Sequence, residues 1–350
     1  MSKSDNSCND KEIDGASKSN DDNVCEVKNM LQNIMSTADE EDNDVLVCAN
    51  CGKEGDDINN TCNKCKKVNY CNAACKKKHR HKHKADCEEH IRLAAEKRNE
   101  ELKLAAEMHD KKLFKQPPPK DDCPICFLML PSLGSIYYNC CGKTICSGCM
   151  HAPVYDNQGN KVAGKKCPFC RAPHPTTEEL QERYKKRVET KDAAAMYNLG
   201  VCYRDGLYRF PQDYTKALEL WNQAGEFGYA EAYTNIGYAY SKGEGVKVDK
   251  KKATYYYELG AMGGNVNARH NLGLDEAKAG NIERALRHYM IAVRSGQSNS
   301  LKMIKLFYSA GRATKDDYTK ALQLYQEYLG EIKSVQRDEA AAADERNHYY

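Results

Sequence analysis

Between Cys48 and Cys170 the sequence spaces cysteines in pairs: Cys48-x2-Cys51, Cys62-x2-Cys65, Cys71-x3-Cys75, Cys123-x2-Cys126, Cys146-x2-Cys149 and Cys167-x2-Cys170, with Cys140 and Cys141 adjacent. Pairs at this spacing can close on one tetrahedral metal ion, and a stretch organised by such ions needs little apolar core of its own. They point to small metal-held domains in this part of the chain. The redox compartment decides between metal and disulfide. The opening "MSKSDNSCNDKEID" is polar throughout, so we expect no secretory signal, and no apolar run approaches the ~20 residues that span a bilayer. We therefore expect an intracellular protein, cytoplasmic or nuclear, where such pairs hold metal rather than each other.

Two groups of eight donors emerge. In the first, His83 and Cys87 follow the three pairs between Cys48 and Cys75, with His79 and His81 competing for the histidine place. In the second, Cys123, Cys126, Cys140, Cys141, Cys146, Cys149, Cys167 and Cys170 make eight, and His151 is a substitute for one of the adjacent pair. Two neighbours can ligate one ion if the backbone turns there, and Gly142 helps it turn. Four donors at about 2.0–2.3 Å satisfy one zinc, so about four zinc ions are expected.

The first spacing, with the "YC" before its fifth donor, resembles a MYND zinc finger over 48–87. The resemblance implies that Cys48, Cys51, Cys71 and Cys75 share one zinc and that Cys62, Cys65, His83 and Cys87 share the other. It also implies binding of proteins or proline-containing peptides, without catalysis. The second order resembles an all-cysteine RING finger, although RING fingers usually separate their third and fourth ligands and often use histidine as the fourth. That resemblance implies one zinc on Cys123, Cys126, Cys146 and Cys149, and another on Cys140, Cys141, Cys167 and Cys170. RING ubiquitin ligases dock a ubiquitin-conjugating enzyme through an apolar residue in the first loop and a proline near the last pair. They activate it with an arginine after the final cysteine. Ile125, Pro168 and Arg171 occupy those places. The bland readings are packing beside a zinc for Ile125 and an exposed charge for Arg171. In a ligase the zincs would be structural, since closed four-ligand sites leave no position for an activated water. Catalysis would consist of positioning a thioester where a lysine can attack it. The alternative is a scaffold or adaptor that transfers nothing.

Beyond residue 177 the cysteines nearly vanish and a period appears. Gly200, Gly237 and Gly273 recur at intervals of 37 and 36, and Ala217, Ala253, Ala285 and Ala321 at 36, 32 and 36. The third unit is thus four residues short, in the loop after Gly280. Two amphipathic helices per unit with a glycine at the turn make a solenoid, and the unit resembles Sel-one-like repeats, relatives of tetratricopeptide repeats. The expected fold is mainly α, with two small zinc-stabilised fingers followed by a two-helix-repeat solenoid. Its parts are a disordered acidic tail (1–45), a MYND-like finger (48–87), a helical spacer and Pro-rich linker (88–119), a RING-like finger (120–175), the repeats (190–336) and a C-terminal tail (337–350).

Other motifs carry less. The basic run "KKKHRHKHK" reads as a solvated helical face, and a net charge of +3 argues against a nucleic-acid partner. Tyr197, Tyr203, Tyr233, Tyr238, Tyr240 and Tyr255 to Tyr257 are contact candidates but more often helix packing. Trp221 and Cys202 read as core, and Cys8 and Cys25 as free thiols in the tail. A glycine-rich phosphate loop, HExxH and Gly-x-Ser-x-Gly are all missing from the sequence.

Overall fold

A computed structural model describes residues 46–55, 58–153, 158, 166–344 and 347–348. The expected tail over 1–45, with Cys8 and Cys25, lies outside them. The chain divides into two compact units, with the boundary between Lys112 and Leu113.

The first unit is built on very little apolar material. Strand β1 (Asn60–Thr61) pairs antiparallel with β2 (Asn69–Tyr70), and Cys48 bridges to Asn69. The buried cluster at its centre is Cys48, Ile58 and Tyr70. Helix α1 (Ala73–His79) begins where the Asn72 side chain accepts from the Cys75 N–H at 2.9 Å. Helix α2 (Lys84–Leu113) then runs for 30 residues without Gly or Pro, and Pro117, Pro118 and Pro119 follow its end.

The second unit holds a finger and the repeats. Strands β3 (Ser135–Tyr138) and β4 (Lys143–Cys146) form an antiparallel hairpin with Tyr138 opposite Lys143. A short helix α3 (Ser147–His151) and a helix α4 (Thr177–Glu189) closed by a Thr176–Glu179 capping box follow. Four helix pairs come next: α5 (Ala193–Asp205) with α6 (Tyr214–Glu226), α7 (Ala230–Lys242) with α8 (Lys250–Met262), α9 (Val266–Lys278) with α10 (Ile282–Arg294), and α11 (Ser298–Ser309) with α12 (Lys315–Ile332). Asp192, Asp213, Asp249 and Asn265 cap four of these helices with side-chain oxygens 2.9–3.0 Å from backbone N–H groups. Ala217, Ala253, Ala285 and Ala321 are at most 1% exposed, the small residues that let each second helix lie close.

The glycines divide into two jobs where the sequence suggested one. Gly206, Gly243 and Gly280 make the turns, at φ 65°, 83° and 87°. The periodic Gly200, Gly237 and Gly273 sit inside the first helix of each pair, where a ring from the second helix lies on the backbone: Trp221, Tyr257 and Tyr289 respectively. The shortened third unit has three residues, 279–281, between α9 and α10, against seven, 243–249, between α7 and α8. Trp221 and Cys202 are buried, as expected of core residues; of the candidate contact residues, Tyr203, Tyr233 and Tyr257 are buried and are packing, whereas Tyr238 stays 42% exposed.

Two segments differ from expectation. Helix α13 (Val335–Ala343) runs into the stretch read as a C-terminal tail (337–350) and packs on α3, with Arg337, Ala340 and Ala341 buried. The linker is not free either. Leu113 is buried among Ala253, Tyr257, Ala261, Ala268 and Leu272, and Arg269 donates to its carbonyl and, at 2.8 Å, to that of Ala261. The Phe114 ring lies 3.7 Å from the Arg287 guanidinium, and Lys120 Nζ donates to the Ser295 carbonyl at 2.9 Å. Tying the linker to the repeats holds the following finger against them.

Candidate metal centres

Four quartets of donor atoms come together, each within 4.8 Å: Cys48, Cys51, Cys71 and Cys75; Cys62, Cys65, His83 and Cys87; Cys123, Cys126, Cys146 and Cys149; and Cys140, Cys141, Cys167 and Cys170. The residues fit zinc by a simple test of scale. Thiolates about 2.3 Å from one tetrahedral ion stand about 3.8 Å apart. The Sγ–Sγ separations are 3.7 Å for Cys51 and Cys71, 3.7 Å for Cys62 and Cys87, and 3.8 Å for both Cys126–Cys146 and Cys141–Cys167. Disulfides would need about 2.05 Å. His83 takes the histidine place, with Nε2 3.3 Å from Cys65 Sγ, while His79 turns to the Tyr70 hydroxyl and His81 is exposed.

Local backbone aims the thiols. After Cys48–Cys51, Cys62–Cys65, Cys123–Cys126 and Cys167–Cys170, the next residue donates its N–H back to the first cysteine's carbonyl at 2.9–3.1 Å. That residue is left-handed each time: Gly52, Lys66, Phe127 and Arg171, at φ 73°, 58°, 57° and 63°. The turn swings both thiols to one side, at a small conformational cost wherever the residue is not glycine. Without a cation such a quartet cannot ionise evenly. The Cys71 backbone N–H draws Cys48 down to about 6, whereas the Cys75 thiol pushes Cys71 up to about 12.

Cys140 and Cys141 lie in the turn between β3 and β4. Successive side chains of a strand diverge, but here the Gly142 N–H closes on the Tyr138 carbonyl at 2.8 Å with Gly142 at φ 69°. Both thiols then face Cys167 and Cys170. His151 is exposed and outside the quartet. Arg187 braces this turn, donating to the carbonyls of Asn139 at 3.0 Å and Cys140 at 3.2 Å, and it is itself paired with Asp192. Nothing in the sequence near the cysteines announces Arg187, because its contacts are 47 and 48 residues away.

The residues suggested for docking sit on two of the turns. Ile125 is 36% exposed, Pro168 half-buried and Arg171 exposed. Phe127, 77% exposed, and Phe169, 43% exposed, add large apolar surface that the sequence reading passed over. In the basic run, Lys77, Lys78, Arg80, Lys82 and Lys84 are exposed, but Lys76 is structural and donates to the Thr61 carbonyl and to Asn63.

The MYND finger family model matches residues 48–87, and the Sel1 repeat model matches 193–228, 230–265 and 303–327. The chain is 32% identical over 103 residues to the ERAD-associated E3 ubiquitin-protein ligase component HRD3B of Arabidopsis thaliana, spanning 29% of this chain and 16% of that protein. It is 38% identical over 58 residues to the E3 ubiquitin-protein ligase DA2 of Arabidopsis thaliana, spanning 17% and 13%. The chain thus spans a small part of either relative. A Sel1 repeat protein from Oxalobacter formigenes is 28% identical with a TM-score of 0.39, covering 49% of this chain and 67% of that one. A protective antigen of uropathogenic Escherichia coli with an SLR fold is 24% identical with a TM-score of 0.39, covering 49% and 37%. Residues 48–87 are a MYND finger, residues 193–327 carry Sel1 repeats, and the chain is a zinc-binding protein-interaction module. Among the described residues no helix is long and apolar enough to cross a membrane.

Proposed function

We propose that this chain, with a MYND finger and Sel1 repeats on either side of a second cysteine-rich finger, is a RING-type ubiquitin ligase whose repeats recruit the substrate. One observation carries the reading. The second finger interleaves its quartets along the chain and exposes Ile125 and Phe127 on its first turn and Phe169 and Arg171 on its last. Exposed aromatic and aliphatic side chains on rigid turns suit docking of another protein, here a ubiquitin-conjugating enzyme. The Arg171 N–H bonds to the Cys167 carbonyl at 3.0 Å, which fixes the base of the arginine, and the residue is exposed toward a docked partner. Zinc, when bound, supplies cross-links only. This chain's residues bind and orient, and no nucleophile or base comes from them.

The names of the two Arabidopsis relatives support the reading in its class, one as a ligase and one as a ligase component. The name of the ligase component also suits the rival, a scaffold that assembles partners. Discharge of ubiquitin from a panel of charged conjugating enzymes to free lysine, with the full chain, separates them. A ligase accelerates discharge, and Ile125→Ala or Arg171→Ala abolishes the effect. A zinc-loaded chain with no acceleration across the panel is the scaffold.

A further inference from the structure

Arg337, near the start of α13, is wholly buried at 0% exposure. Its Nη1 donates to the Ile332 carbonyl at 2.7 Å and its Nη2 to the Leu128 carbonyl at 3.4 Å. Nη2 also stands 3.8 Å from Cys126 Sγ, and Nε has no hydrogen-bond partner among the described residues. No carboxylate among the described residues pairs with it. Neutral carbonyls do not cancel a guanidinium charge, and a buried cation without an anion is strongly disfavoured. Among the described residues, the surroundings contain one candidate anion. Cys123, Cys126, Cys146 and Cys149 as thiolates around Zn²⁺ carry a net charge of about −2.

We infer that Arg337 is the counter-cation of a zinc tetrathiolate at Cys123, Cys126, Cys146 and Cys149, which makes the C-terminal helix a working part of the second finger. The packing around it is made for this approach. A Cβ on Gly148 would come within 2.8 Å of both Cγ and N of Arg337, so only glycine lets α13 lie against α3. Tyr328, Ile332 and Ala341 pack with Met129 of the finger, and the Tyr328 hydroxyl accepts from the Ser132 N–H at 3.0 Å. The other quartet of this finger is in a different setting. Cys123, Cys146 and Cys149 are at most 5% exposed, whereas Cys170 is exposed and water can screen its site. Arg187, beside that second site, already has Asp192 at 3.4 Å. The inference rests on zinc at the buried quartet and is independent of the ligase reading.

The test uses the full zinc-loaded chain with Arg337→Met and Arg337→Lys. Zinc release to excess chelator is followed with a metallochromic dye, and the cobalt-substituted forms are read by their thiolate-to-metal absorption. Loss of an outer partner of a metal site typically costs about 10–100-fold in affinity. We therefore expect Arg337→Met to release one zinc equivalent faster by that factor and the others at the parent rate. Arg337→Lys, which keeps the charge, should restore most of the difference. Adding Cys149→His, which removes one negative charge from the site, should shrink the effect of Arg337→Met. Parent-like release from Arg337→Met overturns the inference. So does equal acceleration at all sites, or a Lys variant as labile as the Met variant, since either makes Arg337 packing rather than charge. Should Arg337→Met fail to fold, the Lys variant decides: parent-like release supports the inference, and misfolding overturns it.

Discussion

Gly200 lies directly beneath Trp221: a Cβ there would stand 2.5 Å from the indole Nε1, which donates to the Tyr197 carbonyl at 3.2 Å. The same contact recurs as Gly237 beneath Tyr257 and Gly273 beneath Tyr289. Each of these three repeats is therefore closed by a ring resting on bare backbone of the preceding helix, and the Cβ has nowhere to go without separating the two.

Gly200→Ala is expected to destabilise the repeats by about 1–3 kcal/mol, the usual cost of overpacking a filled core, despite alanine's better helix propensity. Trp221 is the single tryptophan, so its fluorescence during urea unfolding reads the change directly. A midpoint equal to or above the parent's would show that the helices part at no cost. Gly280→Ala is the control for glycine as such: its φ of 87° penalises alanine, but a Cβ there meets nothing within 4 Å.

His288 makes stability depend on pH. It is 1% exposed, and burial, then Arg269, Arg284 and Arg287, push its pKa down to about 3. The unfolded chain protonates this imidazole near 6.5, so on acidification the unfolded state takes up a proton that the folded state refuses. Stability contributed by the neutral ring is full above pH 6.5 and falls by ~1.4 kcal/mol per unit below it, until the folded group itself titrates. Acid also strips zinc from thiolates, so the measurement is the difference between His288→Asn and the parent by urea unfolding from pH 7.5 to 5. The variant should lose less stability on acidification; parallel profiles would show that the ring does not stay neutral.

The two groups of eight donors and the repeat period were legible because each is a spacing, and spacing survives in a linear sequence. The same quartets that the resemblances implied are the ones brought together, including His83 over His79 and His81. The two roles of glycine were not legible, since period alone does not separate a left-handed turn from a helix interior pressed by an aromatic ring. Nor was α13, since "VQRDEAAAA" is short and Arg337 meets Cys126 across 211 residues. Lys66, Phe127 and Arg171 hide their left-handed backbone because nothing in a Lys, Phe or Arg declares it.

Phe127 separates folding from function. Its φ of 57° strains a bulky residue, yet the ring is 77% exposed and gains little from packing. Phe127→Gly should therefore hold zinc at least as tightly as the parent, since glycine takes this conformation at about 1 kcal/mol less. If the ring belongs to the docking surface, the same variant slows ubiquitin discharge. Unchanged discharge with unchanged zinc content would remove Phe127 from that surface.

Chelation should divide the molecule according to how much apolar core each part owns. The MYND finger has Cys48, Ile58 and Tyr70 at its centre, two of which are not ligands, and cannot hold its turns once the thiolates lose their common cation. The repeats bury their rings and alanines without metal and should keep their helical circular dichroism and Trp221 emission after zinc is removed. The second finger falls between, because Arg187 ties it to α4, and Lys120 and Tyr328 tie it to the repeats, by hydrogen bonds that need no zinc. Limited proteolysis of the chelated chain is expected to cut first within 46–112, then within the second finger, and last in the repeats. Early cleavage between residues 193 and 327 would mean that the repeats depend on the metal sites, and that the coupling through Arg337 and Arg187 runs from finger to solenoid as well as back.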